Sequence, residues 1–302
     1  MKKIGLWLGL FAASLAAASA QVKVEVVLDQ DQYLMGESLP TAVRIINRSG
    51  QTLHLGSEEG WLTFSIEPQG GSPVSQIGDV PVLGEFVLNS SQRATKRVDL
   101  APYFSLNLPG HYYVVATLHI KAWGYDAASP PKGFDIIEGA RLWEQAFGVP
   151  NSNGDSNAAP EIRKYVLQEA NYLRNQLELY LRVTDASGGK AFKVFPIGRM
   201  LSFSRPEAQV DKLSNLHVLY QNGAHSFSYT VFDPSGNLLV RQIHDYVNTR
   251  PRLQPDAEGN FSVFGGVRRL TSQDLPALKS TAPPESAPQP SKSSDDVPPP
   301  NR

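Results

Sequence analysis

The chain contains no cysteine among its 302 residues. This absence excludes disulfide bonds, thiolate nucleophiles, cysteine-ligated zinc and lipid attachment through cysteine, so packing alone has to stabilise the fold. An excess of charge of either sign is also lacking, with 28 Lys and Arg residues against 29 Asp and Glu residues. The composition therefore predicts no nucleic-acid partner, and the length allows two domains.

Several motifs that mark common enzyme classes are missing as well. The sequence has no Gly-x-Ser-x-Gly elbow, no His-Glu-x-x-His pair, no phosphate loop and no dinucleotide-binding fingerprint. Its histidines show neither the i, i+2 nor the i, i+4 spacing of metal ligands, so we expect no metal site and no cofactor. They are His54, His111, His119, His217, His225 and His244.

The first twenty residues predict export. Lys2 and Lys3 precede an apolar run at residues 6–15, and Ala18 and Ala20 form a small-residue cleavage site before Gln21. The apolar run is shorter than the roughly 20 residues of a membrane anchor, and no later stretch approaches that length. Residues 1–20 are therefore a predicted signal peptide, which indicates a periplasmic or secreted protein without a transmembrane segment after cleavage.

The opposite end of the chain, residues 271–302, is rich in proline and serine and poor in large apolar side chains. Such a segment cannot bury enough apolar surface to offset its ordering entropy, so we predict a disordered tail. Two interpretations stay open: an inert tail, or a spacer or ligand for a proline-binding groove.

Residues 21–122 have the alternating pattern of strands. Val22, Val24 and Val26 alternate with polar residues, Val43 and Ile45 do the same, and Gly and Pro interrupt the pattern at short intervals. This spacing of strands and turns is typical of an all-β sandwich.

Two short motifs in this region carry a resemblance. Leu28, the segment Tyr-Leu-Met-Gly-Glu at 33–37 and the strand that ends in Asn-Arg-Ser at 47–49 resemble the first strands of immunoglobulin-like modules of the macroglobulin and bacterial proteinase-inhibitor types. The turn at 108–113 adds to the resemblance, since Tyr112 fits the tyrosine whose hydroxyl ties such a corner to upstream backbone. The resemblance implies an immunoglobulin-like β-sandwich, and it makes proteinase inhibition a minor alternative function.

Residues 123–160 form a predicted connector. Helix formers at 139–147 carry Trp143 and Phe147 four residues apart, which favours a short helix packed against a domain interface. Residues 151–159 are rich in Asn, Ser, Gly and Asp and mark the predicted domain boundary.

Residues 161–270 form a predicted second antiparallel β-meander domain. Alternation around Leu179 and Val194 predicts a hairpin, and an Asn222-Gly223 turn between alternating runs predicts three consecutive strands. The run at 232–238, repeated loosely at 255–261, resembles the turn between outer strands of β-propeller blades, although the segment is too short for a complete propeller. The predicted fold class is thus all-β: an N-terminal immunoglobulin-like β-sandwich, this second domain and the tail.

Polar side chains suited to chemistry concentrate in the meander. One interpretation makes Asp211 the residue that orients His217 as a general base, with Arg241 holding an anion. The alternative makes His217 a hydrogen-bonded strand residue, and on balance we expect no contact between Asp211 and His217. The candidate set is Asp211, His217, Gln221, His225, Tyr229, Arg241 and His244.

These observations favour a non-catalytic binding or scaffold protein of the bacterial envelope or medium, whose partner is an unidentified protein or glycan. Gln221, His225, Tyr229 and Arg241 are the candidate binding residues. The alternative is a secreted hydrolase that uses Asp211 and His217 as an acid-base pair.

The cleavage site yields a direct prediction. We expect the exported protein to begin at Gln21, because small residues at Ala18 and Ala20 satisfy the signal peptidase. Intact mass spectrometry of the exported protein measures this. Retention of residues 1–20, with the protein in the membrane fraction, would show instead that the segment is an anchor.

Overall fold

The computed structural model describes residues 22–149, 161–172, 176–257 and 259–276. Within these ranges the protein is all-β with several sheets, as the alternation predicted, and no helix there is long and apolar enough to cross a membrane. The predicted signal peptide, the predicted boundary at 151–159 and the predicted tail from residue 277 onward lie outside the described residues.

Two sheets in the first part of the chain share one core. Sheet I has the strand order β1-β3-β7 and sheet II the order β2-β10-β8-β5, with β9 beside β8, while β4 pairs with β6. Alternate residues of both sheets, such as Val43, Ile66 and Val114, enter one buried cluster. The strands are β1 (Val22–Leu28), β2 (Gln32–Leu34), β3 (Pro40–Asn47), β4 (Leu53–Leu55), β5 (Leu62–Pro68), β6 (Phe86–Leu88), β7 (Arg93–Asp99), β8 (Gly110–Ile120), β9 (Tyr125–Ala128) and β10 (Lys132–Ile137).

The two motifs noted in this region form the local contacts expected of them. Gly36 has a φ of +82°, which allows the chain to bend between β2 and β3. The Tyr112 hydroxyl donates to the Leu108 carbonyl at 2.8 Å and so ties the corner before β8 to upstream backbone. Short 3-10 helices at Ala101–Tyr103 and Lys121–Trp123 complete this part.

The second part of the chain contains two larger sheets. Sheet III has the order β11-β12-β13-β14, sheet IV has the order β15-β16-β17-β18-β21, and β19 and β20 form a separate hairpin. The hairpin and the three-strand meander predicted here are confirmed as β13-β14 and β16-β17-β18. The strands are β11 (Ala140–Gly148), β12 (Ile162–Tyr172), β13 (Gln176–Asp185), β14 (Ala191–Met200), β15 (Glu207–Val210), β16 (Leu216–Gln221), β17 (Ser226–Phe232), β18 (Leu238–Asp245), β19 (Arg252–Pro255), β20 (Phe261–Phe264) and β21 (Val267–Arg269).

The helix predicted at 139–147 is wrong, because this segment is strand β11, paired with β12. A separation of four residues places two side chains on one side of a helix and equally on one face of a strand, so the spacing of Trp143 and Phe147 could not distinguish them. Pairing decides the conformation: Phe147 stacks on Tyr165 of β12 with ring centroids 4.0 Å apart.

The predicted start of the tail at residue 271 is also wrong. Asp274 is buried and accepts hydrogen bonds from the Thr271 hydroxyl at 2.7 Å and from Arg268 at 3.0 Å. Leu275 exchanges both backbone hydrogen bonds with Arg241 of β18. Residues 271–275 therefore pack on sheet IV through polar and main-chain contacts, which an apolar pattern cannot reveal.

The bend at 33–37 joins the first two sheets to sheet III. Leu34 lies in a buried cluster with Ala170, Tyr180 and Val194. The Arg182 guanidinium, on β13, donates to the Met35 carbonyl at 3.1 Å. This contact combines apolar burial with a charged hydrogen bond, and it places the bend directly on β13 and β14.

A carboxyl group is buried in the same bend. Glu37 is 7% exposed and accepts hydrogen bonds from the Leu34 amide at 2.7 Å and the Gln30 side chain at 2.9 Å. Burial raises the pKa of Glu37 to about 7 despite these hydrogen bonds, and the negative charge of Glu178 raises it further. Folding therefore favours the protonated form of Glu37.

This raised pKa predicts that stability falls as the pH rises. Between about 4.5 and about 7 the unfolded chain releases the Glu37 proton while the folded protein retains it, so ionisation favours unfolding. We expect the free energy of unfolding to decrease by about 3 kcal/mol over this window, an order-of-magnitude figure. Urea unfolding at several pH values measures it.

Glu37→Gln should flatten this pH dependence, whereas Glu67→Gln, at an exposed position, should leave it unchanged. An identical pH profile for Glu37→Gln and the wild type would show that the pKa of Glu37 is the same in the folded and unfolded protein.

Candidate functional site

The candidate residues lie on sheet IV and in the loops that join its strands, and both faces of the central strands are covered. Leu216, Val218 and Tyr220 point into the larger buried cluster, which includes side chains of sheet III. Leu219, on the opposite face, packs in a second cluster, which Leu253 and Val263 of the β19-β20 hairpin help to cover, and His217 shares that face by alternation. His217 is therefore an interior residue.

Both ring nitrogens of His217 have partners within the protein. Nδ1 lies 2.7 Å from the Tyr229 hydroxyl, and Nε2 lies 3.2 Å from Oδ2 of Asp211. The expectation that Asp211 and His217 do not touch is wrong. The loop after β15 folds back along β16, so the carboxylate reaches the ring across the five intervening residues.

The hydrogen-bond roles follow from the chemistry of the groups. An ionised carboxylate only accepts, so Nε2 carries a proton and donates to Asp211. In the neutral form of the ring, Nδ1 accepts from the Tyr229 hydroxyl at 2.7 Å, which is much shorter than the 3.3 Å from that hydroxyl to the Phe261 carbonyl. Tyr229, His217 and Asp211 thus form a hydroxyl-imidazole-carboxylate chain, the same order of groups that catalytic triads use.

The surroundings of Tyr229 and Asp211, the two outer groups of this hydrogen-bonded series, shift their pKa values in opposite directions. Burial raises the pKa of Tyr229 to about 12, and the negative charge of Asp211 acts in the same direction. Burial would raise the pKa of Asp211 too, but hydrogen bonds from Asn215 and His217 outweigh burial and lower it. The tyrosine stays protonated and the aspartate stays ionised at neutral pH.

Asp211 has a second role as the cap of its loop. Its Oδ1 accepts the amides of Leu213 and Asn215, and its Oδ2 accepts the Asn215 side chain at 2.9 Å. Binding the loop backbone this way holds the carboxylate in one position. The orientation of Asp211 therefore belongs to a turn motif.

The same Asp-x-x-x-Asn loop occurs twice more, at 233–237 and 256–260. Those two loops coincide with the repeat recognised in the sequence. The loop that begins at Asp211 was not recognised as a third copy because it has no glycine at the fourth position. Ser214, with a φ of +64°, takes the position that Gly236 and Gly259 occupy in the other two loops. The spacing of Asp and Asn alone could have revealed all three.

The remaining candidates are dispersed. Gln221 donates to the carbonyls of Gly223 and Ala224 and so braces the turn, and His225 is exposed. Arg241 is paired with Thr230, on the face of the sheet opposite Tyr229. Of these remaining candidates, only His244 lies near the hydrogen-bonded groups Tyr229, His217 and Asp211. Its ring centroid is 6.3 Å from that of Tyr229.

His244 is buried and lacks the features of a catalytic base. Burial lowers its pKa, and the positive charge of Arg268 lowers it further. Its Nε2 lies 3.4 Å from Oε1 of Gln242. His244 is thus held as a neutral packing residue beside Tyr229.

A second polar trio, which no sequence pattern indicated, lies on the outer face of sheet II. His119 contacts Asp126 through Nδ1 at 2.8 Å and the Thr63 hydroxyl through Nε2 at 2.9 Å. His111 and Asp135 form a similar cross-strand pair at 2.6 Å. These residues meet only through strand register, which no sequence spacing indicates.

Metal binding has no structural support within the described ranges. No group of three or more His, Asp or Glu side chains among those residues is placed to hold a metal ion.

Comparisons with known proteins establish no family. No protein-family model matches the chain, and no curated protein matches it. Among solved structures, the sporulation control protein Spo0M from Bacillus subtilis is similar with a TM-score of 0.29 and 14% identity, covering 57% of this chain and 82% of Spo0M. That similarity is too small to indicate a shared fold.

The hydrogen-bonded chain predicts a stability effect. Tyr229→Phe removes the hydroxyl that donates to His217 and leaves a buried ring nitrogen unsatisfied, so the free energy of unfolding should fall by about 1–3 kcal/mol. Urea unfolding measures the change. Tyr246→Phe, at an exposed tyrosine, is the matched control and should unfold like the wild type. Equal stability of all three proteins would show that the hydrogen bond contributes nothing.

Proposed function

We propose that this chain is an exported, non-catalytic binding or scaffold protein of the bacterial periplasm or the surrounding medium. The observation that carries the proposal is the burial of His217 and of its hydroxyl partner Tyr229, which are 7% and 6% exposed. A general base acts on a proton of the substrate or of a nucleophilic hydroxyl that the substrate can reach. Phe261 of the β19-β20 hairpin lies against the His217 ring with centroids 5.6 Å apart, so neither the ring nor the hydroxyl is open to a substrate.

The outer trio of Thr63, His119 and Asp126 also supports binding over catalysis. The Asp126 side chain is 63% exposed, so water screens the attraction between its charge and His119. The Thr63 side chain is exposed on the outer sheet face, whereas acyl-transfer sites exclude water around the reacting group. Solvated cross-strand pairing accounts for the contacts of this trio.

An immunoglobulin-like sandwich in the first part of the chain belongs to the same proposal. Its support is the single core shared by sheets I and II, together with the tyrosine corner of Tyr112 and Leu108. Such folds bind partners through loops and sheet edges, while their cores serve stability. Export is supported by the pattern of residues 1–20, and the partner is a protein or glycan of the envelope.

A substrate screen tests the proposal against the hydrolase alternative. The mature protein, His217→Gln and the exposed control His225→Gln are assayed with chromogenic esters, peptides and glycosides. We expect no hydrolysis by any of the three. Hydrolysis that is lost in a folded His217→Gln variant but kept in His225→Gln would overturn the proposal and assign the site to catalysis.

A further inference from the structure

A groove lies beside β5, the last strand of sheet II. It has a volume of about 720 Å³ and runs between residues 56–64 and the loop that contains Asp79 and Leu83. Its lining includes Trp61, Leu62 and Phe64, which are buried core residues. We call it the edge groove. Its volume falls in the range of specific binding sites.

Main-chain groups of β5 face this groove. The Trp61 carbonyl accepts the His119 amide, and the Gln69 amide donates to the His111 carbonyl, so odd-numbered residues between them bond to β8. In an antiparallel ladder the alternate residues direct their amides and carbonyls the other way. The main-chain groups of Leu62 and Phe64 therefore point toward the groove.

The segment that follows β5 in the same polypeptide supplies a hydrogen-bond partner only at the far end of this edge. The Val74 amide donates to the Ile66 carbonyl at 2.8 Å, which shows that this edge can accept a paired chain. Beyond Val74 the chain turns away, and Gln76 pairs with Phe104 instead. Within the described residues, Leu62 and Phe64 have no main-chain partner on the groove side.

The charge of the groove is acidic. Its ionisable lining residues are Glu58, Glu59 and Asp79, with no lysine or arginine among them. Two lysines outside the lining lie next to it: Lys121 forms an ion pair with Glu58, and the Lys96 ammonium donates to the Leu83 carbonyl at 3.3 Å. Among the described residues Glu59 and Asp79 have no ion-pair partner, so the groove complements a cationic ligand.

Apolar surface accompanies this charge. Leu83 lines the groove and is 82% exposed, which makes it an apolar side chain that a bound partner would cover. Trp61 is buried and its indole N–H donates to the Val82 carbonyl at 3.0 Å, so it braces the groove wall and offers no aromatic face for a sugar. The surface suits a peptide better than a glycan.

We propose that the edge groove binds an extended basic peptide segment of another exported protein, which adds as a strand to β5 of sheet II. Main-chain hydrogen bonds to Leu62 and Phe64 supply the pairing, as in other strand-addition complexes. Alternate side chains of the segment are basic, matching Glu59 and Asp79, and apolar, covering Leu83. This inference rests on the proposed binding function and names its partner class.

A peptide of roughly six residues, alternating lysine and valine, is long enough to span this edge at about 3.3 Å per residue. Calorimetric titration of the mature protein should show binding that weakens with added salt. Methylation of the peptide amides on one edge removes the donors for strand pairing without changing its charge. We expect one of the two alternate methylation patterns to abolish binding and a glutamate-valine peptide not to bind.

The double variant Glu59→Gln/Asp79→Asn should weaken binding by about fivefold, because each exposed charge contributes modestly. Glu144→Gln/Glu161→Gln removes two exposed carboxylates elsewhere and should bind like the wild type. All these positions are exposed, so thermal unfolding should confirm unchanged folds. No binding, binding that survives both methylation patterns, or equal affinity of the two double variants would overturn the inference.

Photo-crosslinking in periplasmic extract separates this inference from the function it rests on. A photoreactive residue replaces Leu83, in the groove, or Phe264, an exposed aromatic on the β19-β20 hairpin. A defined protein linked at residue 83, and displaced by the lysine-valine peptide, supports the groove. A partner linked only at residue 264, or a glycan at residue 83, overturns the groove and keeps the binding function. No partner at either position counts against both.

Discussion

Strand alternation in sheet IV, with both faces covered, is the constraint on which the candidate site depends. Because successive side chains of β16 point to opposite faces, Tyr220 and Leu219 enter different buried clusters. His217 follows the same rule and lies in the interior, where its hydrogen bonds must be satisfied by the protein. Tyr229 and Asp211 satisfy them. Three groups that match a catalytic triad by chemical type thus satisfy one another's hydrogen bonds inside a doubly covered sheet.

The same ladder geometry leaves main-chain groups unpaired at the edge of sheet II. A strand that lies between two others forms main-chain hydrogen bonds on both sides, but β5 is paired with a strand on one side only. Proteins commonly protect such edges with charge or with a covering loop. Here the main chain at Val74 covers one end of the edge, and acidic residues line the groove beside the rest. The same acidic side chains repel an acidic strand and attract a basic one.

Patterns of short range in the sequence predicted the fold class and several local contacts. Alternation indicated an all-β chain, and the Asn222-Gly223 turn indicated the meander, because both depend on residues near one another. Gly36 and Tyr112 form the contacts expected of their motifs. The helix expected at 139–147 failed for a related reason. A spacing of four residues fits helix and strand alike, and only pairing with β12 distinguishes them.

Local sequence patterns predicted many of the strands, the tight turns and the side chains that carry reactive groups. Which of those side chains meet depends on the tertiary structure. His119 and Asp126 meet through register, Asp211 reaches His217 through a capped loop, and Glu37 is buried because the bend lies against β13 and β14. Each contact joins residues from different strands or loops, and its formation depends on how whole strands pair and pack, which no local pattern encodes.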